Sequence, residues 1–151
     1  MGRFVTVLTS LAFAFVAGAG FAGPACDGAL ELRLWGGGEQ PSGRALNLQD
    51  FADQALIAAS DVRAAELREA SSGGAAAVNL RLTARAAERL SEATAERLGE
   101  PIAVLHSGKI LVAPIVRERI SSGQLRITGG FDVVEAERLT AILAVCAAEQ
   151  E

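Results

Sequence analysis

Alternation of apolar and polar positions divides the chain into short strands and two long amphipathic stretches. From Ala29 to Trp35, Leu30, Leu32 and Leu34 alternate with Glu31, Arg33 and Trp35, the period of a half-buried strand with three leucines on one face. Val78, Leu80 and Leu82 repeat that period. Ala65, Leu67 and Glu69 occupy alternate positions of a preceding strand over 64–70, and Ser71-Ser72-Gly73-Gly74 makes the turn of a hairpin between them. Further on, the apolar runs 102–105 and 109–112 flank His106-Ser107-Gly108, which predicts a tight hairpin with Gly108 at positive φ. Leu125–Thr128 closes the series of strands.

The helical period appears twice with clear punctuation. Thr83 caps a helix running to Leu98, in which Ala86, Ala87, Leu90, Ala93 and Leu98 form a connected face, and Gly99 with Pro101 ends it. Asp132 opens the last helix with Glu135 three residues on, a capping-box spacing worth about 1 kcal/mol. Ala136, Leu139, Ile142, Leu143 and Cys146 give that helix its buried face. The spacing of Leu48, Phe51, Ala52 and Ala55 predicts a third, short helix near 48–57, followed by a bend at Ser60-Asp61. Together these elements predict an α+β domain over 29–148. The expected architecture is an antiparallel sheet of five or six strands with two main helices on one face, and a ferredoxin-like arrangement fits the strand-helix-strand pieces.

Composition changes this picture at the two ends. Met1-Gly2-Arg3 and an apolar run from Phe4 to Ala17, then small residues at Gly20 and Ala22, have the layout of a secretory signal spanning 1–22. That run falls short of the ~20 residues of a membrane span. Residues 23–28 form a lead-in, and 149–151 a polar tail. An export signal implies an oxidising compartment, the periplasm, where the only two cysteines, Cys26 and Cys146, are expected to pair; two separate buried thiols are the alternative.

Candidate chemistry is sparse. With one histidine and no tyrosine, no catalytic set stands at recognisable spacing, and His106 reads as a solvated turn residue. Two cysteines and a distant histidine lack the spacing of a metal site, and the glycines of 36–43 lack the lysine of a phosphate loop, so no metal or cofactor is implied. Arginines alternate with acids in a chain of formal charge −4, which leaves no basic footprint for nucleic acid. What remains is apolar surface. Pro114 lacks the N–H a central ladder needs, so the segment from Ala113 to Ile120 is expected at a sheet margin, with backbone groups and Ile115 and Val116 open to an added strand. Trp35, Ile115, Val116 and Ile120 are therefore the candidate polypeptide-binding residues; burial of the same side chains in the core is the competing reading.

The order of these pieces resembles the head subdomain of the periplasmic domain of SecD, a membrane subunit that assists protein export. The matching features are Val78–Leu82, Thr94 near a helix end, the hairpin from Ile102 with Gly108-Lys109, Ala113-Pro114, Ile120 and Gly123, Ile127 with Gly130-Phe131, and Glu135-Ala136. The upstream ELRLW and the step Asp61-Val62 before Ala64 extend the resemblance over 29–143. The tip His106-Ser107-Gly108 departs from the family's aspartate-glycine. The resemblance implies a non-catalytic module that contacts translocating polypeptide. A structural module docking on a single envelope protein is the alternative, and the sequence leaves the oligomeric state open.

Overall fold

The computed structural model describes residues 26–69 and 76–150. The signal segment 1–22 and the Ser71–Gly74 turn lie outside the described residues. Among the described residues seven strands and two helices follow in order: β1 Glu31–Leu34, β2 Ile57–Ala58, β3 Val62–Glu69, β4 Ala76–Leu82, α1 Ala84–Glu96, β5 Ile102–His106, β6 Lys109–Val112, β7 Gln124–Thr128 and α2 Val133–Ala148. The fold class is α+β, but the strands form two sheets where the sequence suggests one. A four-stranded sheet has the order β2-β1-β5-β6 and a three-stranded sheet the order β3-β4-β7. Every pairing is antiparallel. A ferredoxin-like unit needs the two strands that a crossover helix joins to lie in one sheet, with another strand between them. Here α1 carries the chain from β4 in one sheet to β5 in the other, so no such unit forms.

Period-two patterning decides which faces meet. Leu30 just before β1 and Leu32 within it, Ile102 and Val104 of β5, Val78, Leu80 and Leu82 of β4, and Ile127 of β7 join one core with Ala86 and Leu90 of α1 and Ala136, Leu139 and Leu143 of α2. Helix α2 lies on β3. Its capping box forms as the sequence predicts: the Glu135 N–H donates to Asp132 Oδ1 at 2.8 Å, and the Asp132 N–H to Glu135 Oε2 at 3.1 Å. Thr83 caps α1 by accepting from the Ala86 N–H at 3.3 Å. Leu98 leaves the expected apolar face: it follows the end of α1 and is 56% exposed. Among the described residues no helix is long and apolar enough to cross a membrane.

The expected helix near 48–57 does not form. Only a 3₁₀ turn, Leu48–Asp50, interrupts an extended chain that runs antiparallel to β1. Ala52 N–H donates to the Leu34 carbonyl at 2.9 Å and Leu56 N–H to the Leu32 carbonyl at 2.8 Å, and Phe51 bridges Trp35. A ten-residue helix is marginal alone, so ladder bonds and burial of Phe51 outweigh alanine propensity. The bend at Ser60-Asp61 appears as a second 3₁₀ turn, Ala59–Asp61.

Cys26 and Cys146 are bonded, with Cα atoms 5.7 Å apart. The bridge ties the segment before β1, in one sheet, to the helix lying on the other. Beside it, His106 is half-buried rather than solvated. Its Nδ1–H donates to the Ala29 carbonyl, and the Ser107 N–H donates to the Gly28 carbonyl at 2.8 Å. The β5–β6 hairpin is thereby fastened to the N-terminal segment, an anchor not apparent from the single histidine in the sequence.

Candidate functional site

An open apolar groove of about 660 Å³ lies between the two sheets. Its floor comes from alternating inward positions: Leu32, Ile102 and Val104 from the four-stranded sheet, Ile127 from β7, and Leu90 from α1. Segment 113–120 forms one wall, and one edge strand of each sheet, β6 at Val112 and β7 at Leu125–Thr128, adds to the lining. At the β7 end a Cβ on Gly130, which has φ +78°, would collide with the Leu111 carbonyl, so glycine lets the chain cross β6 closely there.

The wall segment is held by hydrogen bonds that the sequence does not display. Contrary to the expectation from Pro114, pairing continues past the proline, because its carbonyl still accepts. The Ile102 N–H donates to it at 3.0 Å, the Val116 N–H donates to Glu100 at 2.9 Å, and the Gly99 N–H donates to Val116 at 2.8 Å. At the far end, Thr94 Oγ1, fully buried in α1, donates to the Leu90 carbonyl at 2.7 Å and accepts from the Ile120 N–H at 2.9 Å. Arg119 Nε donates to Ser91 Oγ at 2.6 Å. Helix α1 therefore sets the position of the groove wall.

The four candidate binding residues separate. Ile115 is 41% exposed and lines the groove; Ile120 is half-buried and lines it too. Val116 borders the groove as well but is only 5% exposed and belongs to the core beneath it, since its main chain pairs with the stretch before β5. Trp35 is not in the groove. It is 4% exposed on the opposite face of the four-stranded sheet, packed edge-to-face on Phe51 with centroids 5.6 Å apart, and its Nε1–H donates to the Gly38 carbonyl at 3.2 Å. Period two places Trp35 opposite Leu34, but only the folded-back loop at 36–51 reveals its cover.

The open backbone edge also differs from the expectation. Because Leu82 N–H donates to the Gly123 carbonyl at 2.9 Å, the bonded pairs continue at Leu80↔Leu125 and Val78↔Ile127. Gln124, Arg126 and Thr128 turn their backbone groups away from β4, and β7 is the last strand of its sheet; the Ser122 hydroxyl takes up those of Gln124, accepting from its N–H at 3.2 Å and donating to its carbonyl at 3.4 Å, so the groups of Arg126 and Thr128 form the open edge. An accessible ladder thus borders the groove along β7 rather than at Pro114.

This groove between two antiparallel sheets, walled by a strap pinned to a buried threonine, belongs to a recognisable subdomain. The SecDF P1 head subdomain matches residues 37–147. The chain belongs to that family. Curated relatives include the protein translocase subunit SecD of Acidaminococcus fermentans, 33% identical over 98 residues, and that of Petrotoga mobilis, 32% identical over 101 residues. These alignments take in 65% and 66% of this chain but span only 23% and 21% of the relatives. The solved structure of a membrane component SecDF that enhances protein export has the same fold at TM-score 0.63 and 24% identity, covering 76% of this chain and 60% of that one. SecDF in its super-membrane-facing form gives TM-score 0.60 at 22% identity, over 79% of this chain and 18% of that one. The match to the SecDF head includes Thr94, the groove wall and Cys146, whereas β1 and Cys26 precede it.

Proposed function

We propose that this head subdomain is a non-catalytic, periplasmic accessory to protein export that holds extended polypeptide in the groove between its sheets, with residues 1–22 acting as its export signal. Membership of the SecDF head family supports the export role, and the apolar groove beside the open edge of β7 carries the reading. An unfolded segment presents apolar side chains at alternate positions and unpaired backbone groups at every residue; the groove accepts the first and the β7 edge the second. Such recognition has little sequence preference, because most of its hydrogen bonds are to the main chain. It requires no cofactor and no turnover. The test is a photoreactive residue at position 115 in living cells, with one at position 145, an exposed site on α2 away from the groove, as control. Many secreted chains captured at 115 and not at 145 support the proposal. Capture of one fixed envelope protein at 115 instead favours a docking module.

A further inference from the structure

Strand β7 separates the groove from a second, smaller hollow of about 320 Å³ on the outer face of the three-stranded sheet, and Leu125 and Arg126 line both. The outer hollow carries Arg68, Arg81 and Arg126 beside Asn79 and Gln124, with Glu66 as its carboxylate. The register sets Arg126 opposite Asn79 and Arg81 opposite Gln124, so the two arginines lie diagonally across β4 and β7 on one face. Arg68 is taken up by Glu66 at 2.9 Å. Among the described residues, neither Arg81 nor Arg126 has a carboxylate within ion-pair distance. Like charges on neighbouring strands repel, which costs sheet stability unless an anion lies between them. Their planar forks suit carboxylates in pairs. This local surplus stands on a chain of net charge −4, so it does not follow from overall composition. On the groove's other wall Arg117 and Glu118 have opposite charges, which leaves the asymmetry on the β7 side.

We propose that this arginine face selects among polypeptides, favouring segments whose acidic residues flank the apolar stretch seated in the groove. Because Arg126 borders both hollows, a chain leaving the groove across β7 passes over Arg126 and then Arg81. The inference rests on the groove being the polypeptide site. Its test uses the full chain and two fluorescein-labelled peptides with one shared valine- and threonine-rich core, one flanked by glutamates and the other by serines. Anisotropy titrations at low salt are expected to give the glutamate peptide about tenfold tighter binding, an advantage that shrinks as salt screens exposed charges. Arg81→Glu should abolish that advantage and leave the serine peptide unchanged, since Arg81 lies outside the groove, with circular dichroism checking the fold; Arg81→Gln should remove part of it. Equal affinities for the two peptides, or an Arg81→Glu effect shared by both, overturn the charge selection while the groove stands. If neither peptide binds, the groove reading and this inference both fail.

Discussion

Gly108 and Ser107 are the central residues of the β5–β6 turn, at φ +76° and +49°, a pair of left-handed conformations that matches the strand twist of a two-residue hairpin. Valine cannot hold that geometry, so Gly108→Val should lower stability by more than about 1 kcal/mol in urea unfolding. Nothing lies within contact of a Cβ at Gly108, so the penalty is conformational and not steric. Asp50 offers a charge test. The Arg44 guanidinium, bonded at 2.6 Å and 2.9 Å, together with the Asn47 N–H, holds its carboxyl down at about 2. With the folded value below the unfolded one, its contribution is complete above about pH 4 and is lost as pH falls towards 2. Carbon-detected NMR should find Asp50 titrating near 2, and Arg44→Gln should raise that value. Thr94 is the third case. Thr94→Val keeps the shape but removes the acceptor for the Ile120 N–H, which should cost about 1 to 3 kcal/mol in denaturant unfolding and loosen the groove wall.

At the scale of elements, legibility followed how local the determining forces are. The starts of α1 and α2, the α2 capping box and the β5–β6 hairpin were readable because caps, turns and periods act within a few residues. The 48–57 segment was misread because its conformation depends on β1, far back in the chain, and burial of Phe51 against Trp35 outweighs alanine propensity there. The wall at 113–120 was legible only in part. Pro114 signalled an irregular margin, and Ile115 and Ile120 do line the groove, but the carbonyl of a proline still accepts. The Val116 burial that follows required knowing the pairing with 99–102. Cys26 and Cys146 were readable as a pair from their number and setting. Closing a loop of 120 residues, their bond should stabilise by about 2 to 4 kcal/mol. Reduction with dithiothreitol, or Cys146→Ala, should lower the unfolding midpoint accordingly; an unchanged midpoint would mean that the bridge does not restrain the unfolded chain.

For the whole molecule, two sheets in place of one change what the fold can do. A single sheet with helices on one face would offer only its open face and edges, whereas two sheets joined by α1 and by the disulfide leave a cleft between edge strands β6 and β7. The sequence could not show this division, because period two fixes which face of a strand is buried but not which strand lies beside it. The chain spans under a quarter of the curated SecD relatives named above. The proposed role in export therefore turns on whether this cleft binds polypeptide by itself.

The most direct measurement is an NMR titration of the isotope-labelled protein with an unfolded, valine-rich peptide, made on the wild-type chain and on Ile115→Asp. Shifts should concentrate on β7 and on 113–120, Ile115→Asp should keep a folded spectrum and lose the response, and Val116→Asp should unfold because that side chain is core. Shifts confined to other surfaces, or a full response retained by folded Ile115→Asp, would contradict the proposed groove site.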